Sequence, residues 1–133
     1  MYIGTSINES AVISAKAGAA ISNGAMLAAA MGSTGTVAPV GTAGAEAVGL
    51  IIPETDAAVA AGDDVTVQVK DIGLWIAGAA VSAGAMLMSD ANGKAVTATA
   101  GKFILAQALE AATAADQVIH VQIIKAGYVN PAS

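Results

Sequence analysis

Apolar and polar residues alternate over several short stretches of the chain, and the alternation predicts strands. The clearest is Val65-Thr66-Val67-Gln68-Val69-Lys70, with the valines on one face and Thr66, Gln68 and Lys70 on the other. Val118 to Ile123 repeats the pattern and sets Ile119, Val121 and Ile123 opposite His120. Ala47 to Ile52 is a continuous apolar run stopped by Pro53, and it reads as a strand. Shorter strands are expected at Ala11–Ala15, Val37–Val40 and Ala95–Thr99. Turns separate them. Gly18 and Gly24 bracket a turn, short strand and turn. Gly62-Asp63-Asp64 is a turn, and Asp71-Ile72-Gly73 is another that leads into Leu74-Trp75-Ile76. Asn92-Gly93 predicts a type I′ hairpin, which needs positive φ at both central residues. Ile104 to Ala112 has the propensity of a helix, because Ala is the best helix former. Its place in the order of elements argues instead for a strand followed by a loop or one helical turn.

That order is repeated. Ala17–Leu27 reads AGAAISNGAML and Ala77–Leu87 reads AGAAVSAGAML, with nine of eleven positions identical and Ile21/Val81 and Asn23/Ala83 the changes. The likeness continues: Phe103 to Leu109 answers Val48 to Ile52, and Val121-Gln122-Ile123 answers Val67-Gln68-Val69. Two copies are too few for an open solenoid. The expected fold is therefore a small single-domain all-β protein. It is a β-barrel or β-tulip-like sandwich with an internal pseudo-two-fold repeat and few or no long helices. The β domain spans residues 17–126, with units at about 17–70 and 77–124. Residues 1–16 read as an N-terminal arm and 127–133 as a C-terminal tail.

Composition narrows the function. Hydrophobic residues make up 56% of the 133, but aromatics only 3%. Small side chains bury little area each, so burial against other chains is a natural supplement. The net charge is −5, and all five basic residues are scattered lysines (Lys16, Lys70, Lys94, Lys102, Lys125). Without Arg or a basic stripe, nucleic-acid binding is not expected. No cysteine is present, which removes disulfides and thiolate metal sites. The N-terminus lacks the pattern of a secretion signal. The uncharged stretch Ala17–Ala45 holds too many Gly, Ser, Thr and Pro residues for a membrane span. The expectation is a soluble protein made in a cytoplasm.

Candidate chemistry is sparse. His120 is the only histidine, so no catalytic triad can be built, and no enzyme is expected. Asp63-Asp64, and Glu54 with Asp56, are the only carboxylate clusters. Paired carboxylates can hold a cation or act as acid and base, but after Gly62 the first pair reads as a turn cap. No phosphate loop occurs, and no cofactor or metal is expected. Lys94, beside Asn92-Gly93, shares its hairpin setting with the modified lysine of biotinyl and lipoyl carrier domains. Here Gly93-Lys94-Ala95 enters a strand instead. Trp75, the only tryptophan, is either a core or edge anchor on Ile72 and Ile76 or an anchor at a subunit interface.

The succession AGAAISNGAML, AEAVGLIIPETDAAVAAGDDVTVQV, IAGAAVSAGAMLMSDANGKAVTATAG and ILAQALEAATAADQVIHVQI resembles the capsid decoration (cement) proteins of tailed bacteriophages. Ala47–Ile51 is also similar to lambda-type head decoration proteins. The resemblance covers roughly residues 11 to 125. It departs from the pattern at Ala106, where the first unit has Gly49, and at the long Ala/Gly/Thr segment Ala28–Gly44. It implies a non-catalytic virion protein on the outer surface of the head. Its partner would be the major capsid protein, and homo-trimers would sit on the head. A non-enzymatic host- or glycan-binding head appendage is the alternative, and a carrier domain modified on Lys94 a more distant one. On the cement reading, Tyr2, Ile3 and Ile7 of the arm, with Trp75 and Tyr128, are the candidate capsid or subunit contacts. The arm would add a strand to a neighbouring sheet edge.

Overall fold

The computed structural model describes residues 10–21, 26–53 and 59–129. Tyr2, Ile3, Ile7, Asn23, Gly24, Glu54 and Asp56 lie outside them. Among the described residues all regular structure is strand, and no helix is long and apolar enough to cross a membrane. The strands are β1 (Val12–Ala17), β2 (Ala28–Met31), β3 (Thr36–Pro39), β4 (Gly49–Ile52), β5 (Asp64–Gln68), β6 (Asp71–Ile76), β7 (Met86–Ser89), β8 (Ala95–Thr97), β9 (Phe103–Ala108) and β10 (Val118–Tyr128). The Ala-rich run after Ile104 is thus strand through Ala108, because pairing with β10 and β7 outweighs helix propensity.

The repeat is a repeat of topology. The first five strands close a barrel in the order β1-β3-β2-β4-β5, and the second five form a sheet in the order β6-β10-β9-β7-β8. Opened between β1 and β3, the barrel runs β3-β2-β4-β5-β1. The second sheet read backwards runs β8-β7-β9-β10-β6, the same order. Even the closures correspond. The barrel closes through parallel pairing of Ala17 with Val37, and the second half carries an isolated parallel bridge between Ala77 and Ala95. The antiparallel bridge of Ile21 with Val59 is answered by Val81 with Ala112.

Three boundaries differ from expectation. Asp71-Ile72-Gly73 is strand, not turn. The chain bends before it, at Lys70, with Asp71 itself at φ 69 and the Gln68 amide donating to Lys70 O and Ile72 O. Asn92-Gly93 is not a type I′ turn, since of the two only Gly93 has positive φ (80). Gly93 N donates to Asp90 O, and the Asp90 carboxylate accepts from Asn92 N and Lys94 N, so a side-chain cap does the work assigned to Asn92. Finally, the strand expected at Ala11–Ala15 runs Val12–Ala17 and pairs with β5 from Val12 to Lys16, and β10 extends to Tyr128.

Two apolar clusters organise the interior. One lies within the barrel and includes Ile21, Ala29, Val37, Ile51, Val65 and Val67. The other joins Trp75, Leu87, Leu105, Ile119 and Val121 of the second half to Ala28, Val40, Ala47 and Leu50 of the first. Adjacent residues of one strand point to opposite faces. Ala28 and Ala29, and likewise Leu50 and Ile51, therefore serve different clusters. Strands β2 and β4 form a wall buried on both sides, which is why β4 reads as an unbroken apolar run. Alanine at this wall lets the two layers approach closely.

Candidate interaction surface

The second half locks onto that wall through the β7–β8 loop. Gly93 O accepts from Ala28 N at 2.8 Å and from the Trp75 indole Nε1 at 2.9 Å. Trp75 is 0% exposed. It is a core anchor, with no surface to offer another chain, and Ile72, expected beneath it, points outward instead. The loop tip packs inward: a Cβ on Gly93 would lie 3.1 Å from Leu27 Cβ. Lys94 Nζ pairs with Asp116 Oδ1 at 2.7 Å, and this hydrogen bond raises its pKa. A lysine tethered beside an inward-packed loop does not resemble a freely projecting carrier arm.

The other polar candidates among the described residues have local partners. Asp63 N donates to Ala60 O and its carboxylate accepts from Ala60 N, which is turn-capping chemistry, while Asp64 pairs with Lys16 at 2.6 Å. His120 donates its backbone N–H to Glu110 Oε2 at 2.8 Å, and its ring Nδ1 meets the same oxygen. The backbone hydrogen bond, more than the ring, lowers the Glu110 pKa. Both side chains stand largely in solvent. Among the described residues no group of three or more His, Asp and Glu converges to hold a metal ion. Tyr128 is 57% exposed and meets Phe103 edge-on, with ring centroids 5.6 Å apart. Desolvation, and then a hydrogen bond with Glu46, raise its pKa.

The structure gathers a different set of residues. Strands β6 and β10 turn Ile72, Leu74, Val118, His120 and Gln122 to solvent, and Leu109 and Met86 continue the face across the sheet. Ile72 is 57% exposed and Leu74 42%. On one flank this face runs into an apolar groove of about 360 Å³, lined by Met26, Leu50 to Pro53, Gln68 and Ile72 to Leu74. Exposed apolar residues gathered on one face mark an interaction site more often than singly scattered ones do, and here His120, Gln122 and Gln107 lie among them. Sequence reading missed it because Ile72 was placed in a turn. Alternation shows which residues share a face, but not which face is left uncovered.

Neither a family model nor a curated protein matches the chain. A solved structure does: the crystal structure of the head fiber gp8.5 N base in bacteriophage phi29. It has a TM-score of 0.55 and 21% sequence identity, and the match covers 90% of this chain and 97% of that one. The two chains share a fold over nearly their whole lengths.

Proposed function

We propose that this chain is a structural, non-enzymatic protein of a tailed-phage head that binds the outer surface of the assembled shell and stabilises capsomer junctions against internal DNA pressure. The observation that carries the reading is the shared fold: a tandem β unit matched over 90% of the chain by the base of a phage head fiber. The decoration-protein resemblance of the sequence points the same way. So does the surface, where exposed apolar residues gather on the outer face of β6 and β10. The major capsid protein is the proposed partner, and three-fold positions the proposed sites. Each contact can be weak. A cap that touches several subunits at once gains by multivalency and favours the assembled state by mass action.

Co-sedimentation with expanded, DNA-filled heads of the phage that encodes the chain tests the reading. The protein should pellet with heads and remain in the supernatant with unassembled capsid subunits; recovery in the supernatant with both rejects it. A second arm of the experiment uses a chain lacking Met1–Ser10. That deletion removes the Ser10 Oγ contact to Val12 N and leaves every residue of β1 in the chain. The domain should stay folded and bind heads more weakly, and undiminished binding takes the arm out of the mechanism.

A further inference from the structure

Strand β6 is an edge of the second sheet and pairs there only with β10. The direction of its open peptide groups follows from its neighbours. His120, opposite Leu74, turns its own peptide groups to the β9 side: its N–H donates to Glu110 Oε2 and its C=O accepts from Leu109 N. In an antiparallel pair, residues opposite one another exchange both hydrogen bonds or neither. Leu74 therefore directs its N–H and C=O away from β10, to the open edge. Residues two positions to either side do the same and find partners: Ile76 N donates to Met26 O, and Ile72 O accepts from the Gln68 amide. Between them, the Leu74 N–H and C=O have no hydrogen-bond partner among the described residues. They open on the groove of about 360 Å³, whose lining residues include none with a charge. An unpaired edge beside an apolar groove is a template for one more strand.

We propose that this strand is the chain's own N-terminal segment, residues 1–9, laid antiparallel along β6 of the same molecule. Position favours it. Leu50, Gln68 and Val12 stand abreast on three adjacent strands and share one face. Val12 is thus two strand spacings, about 10 Å, from Leu50, and Gln68 between them lines the groove. The bond from Val69 N to Ala11 O carries the start of the chain one residue further toward β6. From there, nine extended residues reach about 30 Å, enough to run the length of β6. Sequence agrees. The segment reads MYIGTSINE, with Ile3, Thr5 and Ile7 alternating as in a strand and Glu9 the only charged side chain. An uncharged, alternating segment suits an uncharged groove. Tethering selects it over a free one: segment and edge on one chain meet at an effective concentration on the order of millimolar. The arm expected to extend a neighbour's sheet thus has an open edge within its own chain, and docking there shields that edge from other chains. The inference concerns the free protein and does not rest on the head reading.

Amide exchange of the full chain, followed by NMR, tests it. With Ile3→Asp and Ile7→Asp together, the Leu74 amide should exchange about tenfold faster or more than in wild type, while the Val67 amide in the barrel keeps its rate. Equal Leu74 rates in the two proteins overturn the proposal. If the double variant fails to fold, Thr5→Pro, which removes an N–H from the segment, decides by the same readout. A spin label separates docking within a chain from docking between chains. The chain has no cysteine, so Ser6→Cys gives one labelling site, on the face of the segment opposite Ile3 and Ile7. The label should broaden the Ile52 and Leu74 amide signals of its own molecule, and the double substitution should restore them. Broadening that survives the double substitution overturns the proposal. So does broadening found only when a labelled chain is mixed with an unlabelled, isotope-enriched one, which places the segment on a second copy. No shell enters these measurements, so their failure leaves the head reading intact.

Discussion

At residue scale, Gly49 shows how one missing side chain sets the geometry of the wall between the two cores. A Cβ there would lie 2.0 Å from Gln68 O, a backbone atom that cannot move aside without breaking the β4–β5 pairing. Its equivalent in the second half is Ala106, opposite Ile123, where alanine fits with no exposed surface. The exchange of Gly49 for Ala106 between the units is thus a packing difference. We expect Gly49→Ala to destabilise the protein by about 1–3 kcal/mol through overpacking. Ala106→Gly should cost only about 0.5–1 kcal/mol, from backbone entropy. Urea unfolding followed by circular dichroism distinguishes the two; equal midpoints would contradict the assignment. Trp75 teaches a related lesson. A lone tryptophan in an aromatic-poor chain reads equally as an interface anchor or a core anchor. Its indole bond to Gly93 O decides for the core, and that partner lies eighteen residues away across a loop whose inward packing no local pattern announces.

At the scale of elements, much was legible because strand period and repetition are both local signals. The alternation of β5 and of β10 names the buried faces correctly: Val65, Val67, Ile119, Val121 and Ile123 are all buried. The unbroken apolar run of β4 announces a strand without saying that both its faces are covered. Turn chemistry was read less well. The hairpin between β7 and β8 leans on Asp90, whose carboxylate accepts two backbone N–H groups, and the left-handed position falls on Gly93 alone. Gly93→Ala should therefore cost about 1–2 kcal/mol, since it puts a side chain at φ 80 and against Leu27. Asn92→Ala should cost a few tenths at most. Thermal melts of the two variants check this, and a larger effect at Asn92 would restore the type I′ reading. The exposed face was not legible for a physical reason. Exposure depends on how the halves pack, and Ile72 and Leu74 look like any strand residues until β6 is seen at the sheet edge.

For the whole molecule, the two halves do unequal work. Barrel residues Ala28, Val40, Ala47 and Leu50 complete the core of the second half, while among described residues the barrel's own cluster draws on the first half alone. The second half thus leans on the first and turns its outer strands to solvent. This division suits a protein that is anchored and also contacts neighbours. The head-surface reading unites the fold, the sparse chemistry and the apolar face. The most direct measurement is a cryo-electron microscopy map of virions from the phage that encodes the chain. The account predicts density for the tandem β unit on the outside of the head, in contact with more than one capsid subunit. A fully occupied head map without such density, or one that places the chain inside the shell, would contradict it.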